Sequence, residues 1–428
     1  MAALSDNPPR NRHAAPEEAP LPDLAVKPVQ SLAALLRESV AGPVDPVLAA
    51  IIIALIGFGV VMVYSASAIE ATVRYKDAQF FLKKQTIYAV IALVVMWLTS
   101  RIDYRRLRAL TYPILISVTL MLLLTVIGFG HRAGNAYRWL NLGPVNVQPA
   151  EVAKLGVVTW LAYSLSKKAE RIKSFSVGFL PHLLVVGVLM LLCLKQPDFG
   201  SAVVLLFLTF TLLFVAGARV PYIAAFTMLM GVAAVGLVRF SSYRYARYVA
   251  WADMEANRND LAYQPFQSVM SFGSGGASGL GIGRGLQVLY LPEAHTDFIS
   301  AIIGEELGFI GIVSLIAVYL VIVARGVKIA WNAPDDYGSF LAFGISTLFG
   351  VQALTNLCVA MAILPTKGLT LPFLSYGGSS LVVNAAAVGI LLNISRPRLP
   401  RELSEKKKPA ALPSASAVVA TSAEEGAW

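Results

Sequence analysis

Charge is what this 428-residue chain has least of: 14% of its residues are Asp, Glu, Lys or Arg, while 57% are hydrophobic and the mean hydropathy is +0.66. Soluble domains carry roughly a quarter charged residues, so an ordinary soluble globule is excluded and an integral membrane protein is expected. Cysteine is nearly absent. The two present, Cys193 and Cys358, lie in apolar segments without CxxC spacing, which gives neither a disulfide framework nor a metal site. No HExxH, Cys/His cluster or nucleophile elbow occurs, and no internal repeat is evident, which disfavours a transporter built from inverted repeats. A cleavable signal is also missing, because the first 46 residues are rich in Pro, Ala and charge.

Long apolar runs are what the chain does have. About 20 apolar residues span the hydrocarbon core, and ten spans are expected at 47–67, 86–100, 110–128, 152–166, 179–194, 201–215, 222–238, 307–324, 340–364 and 381–394. The fold class is therefore an all-α polytopic membrane protein with a large extracytoplasmic loop, 239–306, between the seventh and eighth spans. Residues 1–45 form a cytoplasmic tail with an interfacial helix or plain linker near 29–40. Residues 46–396 form the transmembrane domain, and 397–428 form a second disordered tail. The net charge of +10 does not point to nucleic acid, since the basic residues fall in short loops between apolar runs. Arg101, Arg105, Arg106, Arg108, Lys167, Lys168, Arg171, Arg325 and Lys328 all fall on one side if both termini are cytoplasmic. The start of the large loop, RFSSYRYARYVAW, mixes aromatics with arginines as a headgroup layer requires.

Four polar constellations fall toward the opposite, outer side. In RWLNLGPVNVQPAEVAK, Pro149 fits the first turn of a helix, so that Glu151 and Lys154 enter the fourth span three residues apart on one face. They are read either as a self-neutralising pair or as part of a site, because charge inside a bilayer is costly. In KQPDFG, Asp198 suits the cap of the next helix. The stretch 286–308, LQVLYLPEAHTDFISAIIGEELG, concentrates Glu293, His295, Asp297, Glu305 and Glu306 behind a glycine-rich run. Because 307–324 already makes about 27 Å of helix, 298–306 is expected above the bilayer or in a polar cavity with Asp297 at its mouth. The last, LPTKGLTLPFLSYGGSS, has two prolines, three glycines and Lys367 as its only charge, an irregular segment suited to walling the same cavity.

The segments RWLNLGPVNVQPAEVAKL, QPDFGSA, YLPEAHTDFISAIIGEELG and LPTKGLTLPFLSYGGSSL resemble the SEDS family of bacterial cell-wall polymerases (shape, elongation, division, sporulation) over about 46–398. Thr366–Gly368 and the LPEAHTDFI run are more similar to the division-type members than to the elongation-type ones. One departure is YVAWADM at the start of the outer loop, where members often carry a Phe-Leu-Asp-Pro type motif.

The resemblance implies an inverting peptidoglycan glycosyltransferase of the bacterial cytoplasmic membrane, at the division septum. It would polymerise lipid II, the undecaprenyl-pyrophosphate disaccharide pentapeptide, beside a class B penicillin-binding transpeptidase and other divisome membrane proteins. It places the family's loop aspartate on Asp297 as general base. The candidate substrate-binding residues are Arg138, Glu151, Lys154, Asp198, His295, Lys367, Ser375 and Ser379, and a divalent cation, Mg or Mn, is a candidate cofactor. A lipid II flippase, an elongation-type polymerase and a non-enzymatic division scaffold are the competing readings. The clustering of acids toward the outer face, rather than at the midplane, speaks against the flippase.

Overall fold

A computed structural model describes residues 42–397 except 134, 135, 142, 144, 145 and 367, with 131–133, 136 and 137 described as backbone. The expected tails at 1–41 and 398–428, with the interfacial helix at 29–40, and Lys367 lie outside the described residues.

The chain is a membrane protein built of α-helices that run back and forth between two polar ends. Asp45 opens the first, α1 (Pro46–Tyr75), by accepting the Leu48 N–H at 3.0 Å, with Pro46 supplying a helical φ where no donor is needed. Then come α2 (Phe80–Arg101) and α3 (Leu107–Leu124), followed by α4 (Pro149–Lys167), α5 (Leu180–Lys195), α6 (Phe199–Val215) and α7 (Val220–Arg239). Two short helices, α8 (Ser242–Ala252) and α9 (Tyr263–Gly275), occupy the large loop, and α10 (Ile299–Trp331), α11 (Asp336–Ala360) and α12 (Gly378–Ile394) complete the domain. Among the described residues, seven helical segments are long and apolar enough to cross a membrane: Pro46–Tyr75, Phe80–Arg101, Tyr104–Phe129, Phe175–Lys195, Val220–Arg239, Ile299–Trp331 and Asp336–Ala360. Phe199–Val215 and Gly378–Ile394 are apolar but have 17 residues each. Together with α4, which carries Glu151 and Lys154, they stand where the remaining expected spans were placed.

Two apolar clusters hold the helices together. One gathers side chains of α1, α2, α10, α11 and α12, the other those of α3 and α5; α4 and α6 contribute to both, and Phe340 and Phe343 of α11 pack against both. Water-free surroundings give no hydrophobic push between helices, so close approach at small residues supplies the packing. Gly344 of α11 faces Val158 of α4, and Gly389 of α12 faces Thr99 of α2, each with no room for a Cβ.

At one polar end, Asp335 caps α11 through the Gly338 N–H (2.8 Å) and collects Tyr104, Arg105 and Arg108. Arg325 meets Asp45 at 2.8 Å, and Asn393 joins α12 to Tyr104 and Ser100. The basic residues assigned above to one side belong to this end. The candidate site lies at the other.

Two departures from the sequence expectation shape that other end. The segment after α3 is a small antiparallel sheet, β1 (His131–Ala133), β2 (Ala136–Asn141) and β3 (Asn146–Val147), with Leu140 opposite Val147. The eighth expected span starts earlier than residue 307. Helix α10 begins at Ile299 and is interrupted at Gly308, whose φ of 68° and ψ of −164° are open only to glycine. The interruption turns the carbonyls of Glu305 and Glu306 outward, where they accept the N–H groups of Leu280 (3.0 Å) and Gly281 (2.9 Å). On its far side Phe309 and Ile310 donate to Gly276 (2.9 Å) and Ala277 (3.2 Å). The glycine-rich run is thereby sewn to the broken helix. Phe298 and the helical residues 299–306 are enclosed by protein, and Glu305 and Glu306 are buried.

Candidate active site

Asp297 ends the loop that leads into α10. Its N–H donates to the Glu293 carbonyl (3.2 Å), and Glu293 takes φ 56° to close that turn. The loop is fixed on its other side by the Tyr376 N–H, which donates to the His295 carbonyl at 2.9 Å. The carboxylate lies against the Cα of Gly368, where a Cβ would come within 2.7 Å of Oδ2. None of the described residues donates a hydrogen bond to that carboxylate. Asp297 is partly accessible yet densely surrounded by protein. Burial, assisted by the negative charges of Glu293 and Asp198 and opposed by Arg138, pushes its pKa from 3.8 to about 6.

The same electrostatics place Arg138 and Asp198 in its neighbourhood. Arg138 projects from β2 and donates from Nε to the Gln196 carbonyl (3.2 Å) and from Nη2 to the Pro197 carbonyl (2.5 Å). Those bonds hold the turn that carries Asp198 and leave other guanidinium N–H groups for a ligand. Asp198 is buried as the cap of α6, accepting Ser201 N–H at 3.1 Å on Oδ1 and Ser201 Oγ–H at 2.7 Å on Oδ2. Its expected capping is thus realised with both oxygens engaged.

Glu151 and Lys154 form a fully enclosed pair, Nζ to Oε1 2.7 Å, with side chains 4% and 1% exposed. The second Glu151 oxygen accepts Ser380 Oγ–H (3.1 Å), and Ser380 also bonds Thr370 and Asn384. The pair therefore fastens α12 and the 364–380 segment onto α4. Ser379 Oγ accepts the Gln148 N–H (3.3 Å), a second stitch between the same parts, and Ser375 Oγ accepts the Leu371 N–H (2.8 Å) to close a turn. His295 is packed between the rings of Phe81 and Tyr376, centroids 4.5 and 5.5 Å away, with Nδ1 3.5 Å from Glu70 Oε2. Burial lowers its pKa, with Glu70 and Glu293 opposing. Of the expected residues, Asp297, Arg138 and Asp198 come together. Glu151, Lys154, Ser375, Ser379 and His295 frame the segments around them.

Two acids of the opening stretch have other partners. Glu305 accepts the N–H groups of Leu286 (2.8 Å) and Gln287 (3.1 Å), and Glu306 accepts Ser65 Oγ–H at 2.5 Å. Both carboxylates therefore brace the loop rather than line it. Trp251, in the departing motif, donates Nε1–H to the Ala362 carbonyl (2.8 Å) and fixes α8 against the end of α11. Sequence reasoning passed over Asn356, a buried amide on α11 that contacts Asp297. A lone amide inside TNLCVA, an otherwise apolar helical run, was the available signal.

The candidate divalent cation finds no protein cage: among the described residues no three His, Cys, Asp or Glu side chains gather to hold one, and Asp198 is committed to Ser201. Mg²⁺ bound chiefly through phosphate oxygens of a ligand needs no such cage.

A family model for FtsW, RodA and SpoVE, described as cell cycle protein, matches residues 46–399. A probable peptidoglycan glycosyltransferase FtsW from Geobacter sulfurreducens is 46% identical over 353 residues, covering 82% of this chain and 95% of the relative. A chain from a structure described as the structural coordination of polymerization and crosslinking by a peptidoglycan synthase complex superposes with TM-score 0.69 and 28% identity, over 86% of this chain and 99% of that one. The crystal structure of the rod shape determining protein RodA of Thermus thermophilus gives 0.63 and 29%, over 83% and 98%. Matched over nearly all of its helical domain, by sequence and by fold, this chain belongs to the FtsW–RodA–SpoVE family of cell cycle proteins.

Proposed function

We propose that this chain is a peptidoglycan glycosyltransferase that polymerises lipid II on the outer side of the bacterial cytoplasmic membrane, with Asp297 as general base. The observation that carries the reading is the Asp297 carboxyl itself. It is free of donors among the described residues, sits at the end of the molecule opposite the basic loops, and titrates near 6. Glu151, Asp198, Glu305 and Glu306 are each taken up by protein partners. A base with a pKa about one below ambient pH is mostly ionised and still basic enough to accept a proton in the transition state, an effect worth roughly 10² to 10⁴ in rate.

Asp297 takes the proton from the GlcNAc 4-hydroxyl of the acceptor lipid II. The oxygen forms its bond to the anomeric carbon of the terminal MurNAc on the growing chain as the bond to undecaprenyl pyrophosphate breaks. The electron pair leaves with the pyrophosphate, and an α-linked donor becomes a β-1,4 product by one inversion. Arg138, whose charge bears on Asp297 and which has guanidinium N–H groups beyond the two bonded to Gln196 and Pro197, is the candidate cation for the leaving charge.

The positive residues gathered at the far end support cytoplasmic termini. The relative in a peptidoglycan synthase complex supports a class B penicillin-binding transpeptidase as partner. The 46% identity to FtsW supports a place at the division septum among other divisome membrane proteins. Incubating the purified chain and its transpeptidase with lipid II, and resolving the glycan products, tests the reading. Wild type makes polymer, and Asp297→Asn makes little or none. Equal polymer from Asp297→Asn would remove Asp297 from the chemistry.

A further inference from the structure

We infer that Asn356 is the positioning residue for Asp297: one side-chain amide joins the backbone of the base to the opposite wall of the site. The inference rests on the reading of Asp297 as the base. Asn356 is 1% exposed, in the last turns of α11. Its Nδ2 donates to the carbonyls of Asp297 (2.9 Å) and Leu369 (2.7 Å), and its Oδ1 accepts Ser300 Oγ–H (2.9 Å). Both amide protons and the amide oxygen are used. Leaving an amide unpaired in such an enclosure is costly, so a side chain with every position matched has one orientation.

The two carbonyls it holds are informative. That of Asp297 fixes the Cα from which the carboxylate projects. That of Leu369 fixes the residue after Gly368, whose Cα packs against the same carboxylate. Base and wall are thus suspended from a single group, and their spacing is set by the width of one amide. Ser300, in the first turn of α10 and completely buried, holds the amide oxygen and thereby the direction in which the two protons point. A side chain needed for helix packing alone would not have to reach two irregular segments separated by about 70 residues of sequence.

Misplacing a reacting group by about 1 Å can cost roughly 10²-fold in rate. Among the described residues, the ionisable groups bearing on Asp297 are Glu293 on its own loop, Asp198 at the cap of α6 and Arg138 on β2. Ser300 and the two carbonyls around Asn356 are uncharged.

The test uses the full chain with its transpeptidase, in detergent, with lipid II as substrate. We expect Asn356→Ala to lower kcat about 10- to 100-fold with KM for lipid II and complex formation close to wild type. Asn356→Asp separates positioning from packing by its pH profile. Protonated, it donates to one carbonyl; ionised, it donates to neither and repels both. Its rate relative to wild type should therefore fall as pH rises, opposite to the trend expected of the base. Ser300→Ala should lower kcat less, and should add nothing to Asn356→Ala, because both act through one amide.

Wild-type kcat in Asn356→Ala, or a loss matched by a loss of folded complex, or a flat Asn356→Asp ratio, overturns the positioning role. Polymer from Asp297→Asn at the wild-type level would instead defeat the base assignment. An inactive Asp297→Asn beside an undiminished Asn356→Ala defeats the positioning alone.

Discussion

Replacing Asp297 by Asn should stabilise the protein while abolishing its activity. An unfolded Asp ionises near 3.8, and the folded one near 6 because burial and two neighbouring acids penalise the charge. Below 3.8 both states are neutral and nothing is lost. As pH rises from 3.8 to 6 the unfolded chain sheds its proton first, so stability falls, and above 6 the full penalty persists. At 1.36 kcal/mol per pH unit the separation corresponds to about 3 kcal/mol. Partial solvent access discounts this to about 1–3 kcal/mol. Asparagine keeps the shape, cannot ionise and should recover that amount. Thermal melting of the detergent-solubilised complex at pH 8 and at pH 5 reads it: the gain from Asp297→Asn should be largest at the higher pH and shrink at the lower. Polymerisation should drop by roughly 10²-fold or more. A variant that melts lower than wild type at pH 8, or whose gain grows on acidification, would refute the reasoning that the fold holds this carboxylate at a cost.

The wild-type rate should fall about tenfold per pH unit below 6 as Asp297 takes up its proton, measured as kcat against pH with lipid II. A rate that holds to pH 4.5 would point to another base. Gly308→Ala should prevent accumulation of folded protein, since φ is 68° and an added Cβ would collide with Ala277 and Gly279 backbone; normal membrane levels would refute the broken-helix geometry. Lys154→Ala, leaving Glu151 enclosed without its cation, should cost about 3–5 kcal/mol, and adding Glu151→Gln should restore much of it. If Lys154→Ala melts normally and fails only in polymerisation, the pair belongs to substrate binding rather than to the fastening of α12.

Much of this was legible because membrane burial is a coarse, one-dimensional demand. An apolar run of sufficient length declares itself, as 47–67 does for α1, and Asp198 before a helix start is a local cap that needs no tertiary knowledge. What escaped were features that depend on distant partners. The strands at 131–147 are at most six residues long and lack alternation. The two turns of α10 before Gly308 were hidden because counting 18 apolar residues fixes the length of a span, not where its helix begins. The sequence places Glu305 and Glu306 only above the bilayer or in a polar cavity, because their partners, the N–H groups of 286 and 287 and Ser65, are invisible in composition. Asp297 stood out only through its motif, since one acid in a loop has no local signature of burial.

The interruption at Gly308 carries a mechanical consequence. A single glycine between two helical lengths would ordinarily serve as a swivel. Here four backbone bonds straddle it, two from Leu280 and Gly281 on the near side and two from Phe309 and Ile310 on the far side. Bending there would strip them together. The joint is a splint, so tilt of α10, however a neighbouring membrane helix imposes it, reaches residue 297 undamped.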